Sequence, residues 1–147
     1  MASDIDWDLQ ERGLAVIDAA ASTFGQERFA SGQVHQVPRP TIHLYAVDPT
    51  QEEITALDQA AKKAGYACTV TSVRYSYAEL VALYDQLAGS DLPGDACISY
   101  GVDAEANALR FTLTRLDMDV VACILQRVPA DAVRITVEPR AGRAVAL

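Results

Sequence analysis

The stretch Thr41-Ile-His-Leu-Tyr-Ala-Val-Asp-Pro-Thr-Gln51 decides the fold, because it changes from the period of a strand to that of a helix within a few residues. Ile42, Leu44 and Ala46 alternate with other residues, which is typical of a strand with one buried face. Asp48 is a candidate N-cap, directly before a proline that fits the first turn of a helix. The stretch therefore predicts a strand that leads straight into a helix.

This strand–helix–strand pattern occurs twice along the chain. The first unit runs from Thr41 to Tyr75, and the second runs from Ala108 to Val137. In each, a helix with an Asp at its N-cap position follows a strand, Asp48 in the first unit and Asp117 in the second. We therefore predict an α/β (α+β) fold of two small halves, each with a helix packed on a mainly antiparallel sheet.

The segments around these units set the predicted domain boundaries. Ile5, Leu9, Val16, Ala20 and Phe24 recur at helical spacing, so an amphipathic helix is expected at the N-terminus. The residues from 26 to 40 lose this period and are expected to form a linker. The predicted organisation is an N-terminal helix and linker at 1–40, a first half at 41–89, a second half at 95–138 and an exposed tail at 139–147.

Composition narrows the classes of function. The chain has 147 residues, half of them hydrophobic, and a net charge of −8, so it can bury a core but offers little to nucleic acid phosphates. The acidity fits either simple solubility or electrostatic steering toward a basic partner. The N-terminus lacks a signal-peptide pattern and no apolar run could cross a bilayer, so we expect a cytoplasmic protein without a membrane partner.

Residues suited to catalysis are scarce, so we expect a protein that is not an enzyme. His35 and His43, the only histidines, fall in no nucleophile or metal motif, and nucleotide-binding glycine patterns are absent. Three widely spaced cysteines form no CxxC pair and are expected to be small buried hydrophobes. Asp48, Asp103 and Asp117 are explained as cap or turn residues. The sequence therefore predicts no catalytic residue, no metal site and no cofactor.

Four stretches between Ile42 and Val137 carry a resemblance to a known family. In order, they are LYAVDP at 44–49, VRYSYAEL at 73–80, ISYGVDAEAN at 98–107 and AVRITV at 132–137. Together they resemble the prodomains of alpha-lytic-protease-like and streptogrisin-like bacterial serine proteases. The second resembles that family's V-x-[YH]-S-x-x-E-L step, and the third its W-x-V-D-x-x-x-N hairpin.

The resemblance implies a non-catalytic, protein-binding module that inhibits or helps to fold a chymotrypsin-fold serine protease. In the family, the last strand packs beside a protease hairpin and the tail occupies the substrate cleft. Carried over to this sequence, the resemblance implies partner-binding residues in the last strand and in the tail: Val133, Ile135, Val137, Arg143, Ala144, Val145, Ala146 and Leu147.

Two other functions remain open from the residues alone. The chain could be an adaptor, immunity or accessory protein that binds a different protein. It could also bind a small molecule, or act as an enzyme, through a pocket between the two halves. A pocket that held His43 with convergent carboxylates would favour this last alternative.

Overall fold

The computed structural model describes residues 4–89 and 91–139. Its elements, in chain order, are α1 (Trp7–Phe24), β1 (Phe29–His35), β2 (Thr41–Ala46), α2 (Gln51–Ala64), β3 (Ala67–Ser72), α3 (Tyr77–Ala88), β4 (Cys97–Asp103), β5 (Ala108–Leu113), α4 (Met118–Arg127), a 3-10 turn (Ala130–Ala132) and β6 (Val133–Val137). The predicted α+β class, opened by an N-terminal helix, is confirmed. Within the described ranges, no helix combines the length and apolarity needed to span a bilayer.

The chain divides into two compact units, Met1–Ala78 and Glu79–Leu147. Each unit follows the same succession of helix, strand, strand, helix and strand, and each has a sheet in chain order, β1-β2-β3 in the first and β4-β5-β6 in the second. In both sheets the first two strands are antiparallel and the last two are parallel. The sheets are thus mixed rather than mainly antiparallel, because a helical crossover returns each last strand in the direction of the strand before it.

The repeat extends to details of the backbone. The register of the antiparallel pair shifts between Phe29 and Ser31 in the first sheet, and between Cys97 and Ser99 in the second. Both irregularities lie at the start of the first strand of their sheet. The strand–helix–strand pattern seen in the sequence is therefore part of a longer structural repeat that also includes the preceding helix and strand.

The core of the first unit forms where α1 and α2 pack on the central strand β2. Ile42, Leu44 and Ala46 are fully buried, as their alternation predicts. They pack with buried apolar residues of both helices, including Phe24 of α1 and Leu57 of α2. His43 and Tyr45 lie on the opposite face of the sheet, because side chains alternate along a strand.

The core of the second unit forms on the central strand β5. Phe111 is fully buried, and its ring stacks on that of Tyr100 in β4 with 5.5 Å between centroids. The ring of Tyr84 in α3 lies 5.3 Å from that of Tyr100.

The division between the units falls at the start of α3, whereas the sequence prediction placed this helix at the end of a first half spanning 41–89.

Two local predictions are wrong. The predicted linker at 26–40 contains a strand, β1, which pairs with β2 along its length. Gly32, read as a linker residue, lies within this strand. A Cβ at this position would stand 2.9 Å from the Ile17 side chain of α1, so a close approach of the helix favours glycine here. The N-cap of α2 is Thr50 rather than Asp48, whose backbone has a φ of 46°.

Arg28 ties the start of β1 to the start of α2. Its guanidinium donates to the Glu53 carboxylate at 2.9 Å and to the carbonyl oxygens of Val47 and Asp48 at 3.2 and 2.9 Å. The same carboxylate accepts the Thr50 N–H in a capping box. A single acidic side chain therefore serves both the helix start and the ion pair.

We expect this ion pair to make stability depend on pH. The hydrogen bond from Arg28 and that from the Thr50 backbone lower the pKa of Glu53 from 4.5 to about 2. Because the folded-state pKa lies below the unfolded one, the stabilisation is complete above about pH 4.5 and is lost as pH falls toward about 2. The urea midpoints of the wild type and Glu53→Gln, measured from neutral to acidic pH, should therefore converge. A difference that stays constant between about pH 7 and pH 3 would contradict this.

Candidate functional site

The last strand, β6, lies at an edge of the second sheet. One side of β6 pairs with β5, and the N–H of Glu138, just after β6, donates to Leu113 O at 2.7 Å. Amide groups of alternate residues in a strand point to opposite sides. The N–H groups of Ile135 and Val137 therefore point away from β5, toward the side of β6 on which none of the described strands lies.

The side chains of β6 form an incompletely covered apolar row. Val133, Ile135 and Val137 pair with Leu109, Phe111 and Leu113 of β5, which are fully buried, so they lie on the core face of the sheet. Val133 and Ile135 are half-buried, and Val137 is 42% exposed. We call this row, with the outward amides, the β6 edge.

The structure brings three of the predicted partner-binding residues together at the β6 edge. The other five lie outside the described residues: Arg143, Ala144, Val145, Ala146 and Leu147. Of the predicted tail at 139–147, only Pro139 belongs to the described part of the chain, and it is exposed.

Further exposed apolar side chains lie at one end of the second sheet. Leu113 pairs with Val137 on one side and with Cys97 on the other, so the neighbours of these residues share one end of the sheet. This end carries the exposed side chains of Ile98, in β4, of Leu116, just before the N-cap of α4, and of Met118, the first residue of α4.

The other face of the second sheet is polar. Arg110 donates to Asp103 at 2.7 Å and to the Thr136 hydroxyl at 3.0 Å, above a shallow groove of about 480 Å³. Burial raises the pKa of Asp103, but the hydrogen bonds from Arg110 and from the Ala106 N–H outweigh it and leave that pKa lowered. Arg134 lies beside Arg110 in the register of the sheet. A partner strand at the β6 edge would thus meet apolar residues on one face and polar residues on the other.

A second surface was not predicted from the sequence. At the start of α1, Ile5, Trp7 and Val37 are 52%, 68% and 67% exposed, and they line a groove that reaches Val34 of β1. Ile5 was expected on the buried stripe of the N-terminal helix, but α1 begins after it, at Trp7. The sequence did hold a signal for this surface. Trp7, the single Trp of the chain, stands between acidic residues and off the apolar stripe of the predicted helix, so it was placed to be exposed.

The described histidines and cysteines form no cluster suited to catalysis or metal binding, although His35 lines the groove at the start of α1. His35 and His43 contact each other edge to face at 5.6 Å on the polar face of the first sheet. The three cysteines are free and half-buried rather than fully buried, and burial raises the pKa of Cys68 to about 11. Among residues 4–89 and 91–139, no group of three His, Cys, Asp or Glu side chains is arranged to hold a metal ion.

A search with protein-family models and a search of curated proteins found no match to this chain. The surfaces of the two units are therefore the basis for assigning a function.

Proposed function

We propose that the chain is a non-catalytic protein-binding module that receives an extended segment of a partner protein at the β6 edge. One observation carries the proposal: an apolar row, Val133, Ile135 and Val137, is incompletely covered at an edge whose alternate amides point outward. A strand added there would form main-chain hydrogen bonds to these amides, and its side chains would extend the core face.

The internal repeat supports β6 over the equivalent edge strand β3. By their register with the central strands, Val70 and Ser72 of β3 correspond to Ile135 and Val137 of β6. The exposed last position of the strand is thus polar in β3, where it is Ser72, and apolar in β6, where it is Val137. Natural edge strands are usually protected by polar or charged residues, so an exposed Val at this position favours a binding role for β6.

The specific form of this proposal is a stand-alone inhibitor or folding chaperone of a chymotrypsin-fold serine protease. The resemblance to protease prodomains suggests that a protease hairpin pairs with β6 while residues 143–147 enter the substrate cleft. The strand position of Val133–Val137 supports the first of these contacts.

The test is a titration of the purified chain into a panel of chymotrypsin-fold bacterial serine proteases, with peptide hydrolysis as the readout. We expect inhibition by the full chain and weaker inhibition by a variant that lacks residues 143–147. Absence of inhibition across the panel would remove the protease as the partner. Equal inhibition by the truncated variant would remove the tail from the interface.

A matched pair of variants isolates the β6 edge. Val137→Pro removes an outward N–H, whereas Val137→Ala keeps it, and both shorten the apolar row. Proline is tolerated at an edge strand, so the variant should fold, but it cannot donate a hydrogen bond to an added strand. We therefore expect the proline variant to bind the protease that the wild type inhibits about tenfold more weakly than the alanine variant does. Circular dichroism should show that both remain folded. Equal affinities of the two variants would contradict strand addition at β6.

A further inference from the structure

The groove at the start of α1 is an apolar depression on the first unit. It holds about 410 Å³ and is lined in part by Ile5, Trp7, Val34 and Val37. Three of these side chains are more than half exposed. Tryptophan is enriched among residues that dominate binding energy at protein interfaces, so its exposure here points to a contact surface. We call this surface the Trp7 groove.

The walls of the Trp7 groove are fixed to each other by one glutamine. The Gln36 side chain accepts the Asp6 N–H at 3.1 Å and donates to Asp6 O at 2.9 Å. It also donates to the Gln10 side chain at 3.2 Å. These bonds hold the first turn of α1 against the end of β1. A groove whose walls are held in place loses little conformational freedom when it binds.

The chain segment at the rim of the Trp7 groove, around the start of α1, is acidic. Asp4, Asp6, Asp8 and Glu11 are exposed within the first turns of α1 or just before it. The nearest basic residue along the helix, Arg12, donates from Nε to Ala64 O at 3.3 Å, at the end of α2. Asp4 lines the groove itself, and the other three exposed carboxylates belong to the same short segment, in which the Asp6 carboxylate accepts the Leu9 N–H.

We propose that the Trp7 groove binds a positively charged segment of a protein partner that carries a bulky apolar anchor. The anchor would fill the floor between Trp7 and Val37, and Lys or Arg side chains would face the carboxylates. Cations also bind favourably over the face of an exposed indole. This interaction is independent of the β6 edge, since it uses the other unit.

Charge disfavours two other occupants of the same groove. A second copy would bring the acidic rim toward a chain whose net charge is −8. An anionic membrane surface would be repelled in the same way. A basic segment is the occupant whose charge complements the rim, and its attraction should weaken as salt is added.

The experiment uses the full chain and a library of random peptides displayed on phage. Peptides are selected on the wild type after depletion on Trp7→Ser/Val37→Ser, so that only groove binders remain. We expect selected peptides to carry a net positive charge and an aromatic or large aliphatic residue. Synthetic copies should bind Trp7→Ser about tenfold more weakly than the wild type and should shift the emission of the single Trp.

Matched controls separate the groove from general surface effects. Leu14→Ser changes an apolar residue of α1 that is 47% exposed but does not line the groove, so it should leave affinity within about twofold. Two sets of three neutralised carboxylates are then compared. The groove set is Asp4→Asn, Asp8→Asn and Glu11→Gln, and the distant set is Asp18→Asn, Glu27→Gln and Glu52→Gln.

The proposal requires the groove set to weaken peptide binding at low salt by about tenfold and the distant set to weaken it much less. Unchanged thermal unfolding of the variants would show that they fold. Failure to enrich any peptide over the depleted pool, enrichment of acidic peptides, or equal losses in the two carboxylate sets would each overturn it. Concentration-dependent dimerisation that Trp7→Ser abolishes would also overturn it, in favour of a second copy.

Discussion

Phe111→Ala is expected to destabilise the second unit by about 3–5 kcal/mol. Phe111 is fully buried at the centre of β5, and its ring stacks on that of Tyr100. The substitution removes most of an aromatic side chain and leaves a cavity bordered by strands on both sides. The midpoint of urea unfolding, followed by circular dichroism, measures the loss.

Two controls distinguish this effect from a general sensitivity of the unit. Phe111→Leu keeps most of the volume and should cost far less than Phe111→Ala, about 1–1.5 kcal/mol. Ile98→Ala changes a side chain of β4 that is 38% exposed and should cost less than about 1 kcal/mol. A loss below about 1 kcal/mol for Phe111→Ala would mean that Phe111 does not occupy the centre of this core.

The central strands and their following helices could be predicted because their signals are local. Ile42, Leu44 and Ala46 alternate because only one face of β2 meets the core, and all three are fully buried. Gly65 ends α2 with a left-handed φ of 94°, and Asp117 caps α4 through its side chain. Such patterns depend on neighbours a few residues away, so the sequence carries them directly.

The features that escaped prediction, the strand β1 and the parallel direction of β3 and β6, depend on distant residues. β1 reads as a linker because Gly32 and its polar neighbours break the pattern, yet the close approach of the Ile17 side chain of α1 favours glycine there. The parallel direction of β3 and β6 is set by the helical crossovers rather than by their own residues. Packing between elements therefore determines the strand β1 and the direction of β3 and β6, which local periodicity does not specify.

The two candidate surfaces differ in the same way. β6 was predicted as a strand from its alternation, and the family resemblance suggested its role, although only the sheet order makes it an edge. The Trp7 groove depends on Gln36 holding Asp6 across 30 positions in the sequence. No local pattern contains that contact, so the groove could not be found before the elements were placed.

Gly13→Ala is expected to destabilise the first unit by about 1–3 kcal/mol, although glycine-to-alanine changes within helices normally stabilise. A Cβ at Gly13 would lie 2.8 Å from the Tyr66 hydroxyl oxygen and 3.0 Å from Val34 Cγ1. Tyr66 cannot easily withdraw, because it is buried and its hydroxyl donates to Leu9 O at 2.7 Å. Urea unfolding measures the sign of the effect.

A double-mutant cycle with Tyr66→Phe tests the cause. Removing the hydroxyl deletes the nearest clashing atom, so Gly13→Ala should cost less in that background than in the wild type. Because Val34 also lines the Trp7 groove, a displaced α1 should weaken peptide binding there without any change to an exposed residue. If Gly13→Ala instead stabilised the unit and left peptide affinity unchanged, α1 would not pack on Tyr66 and Val34 as described, and the walls of the groove would lose their basis.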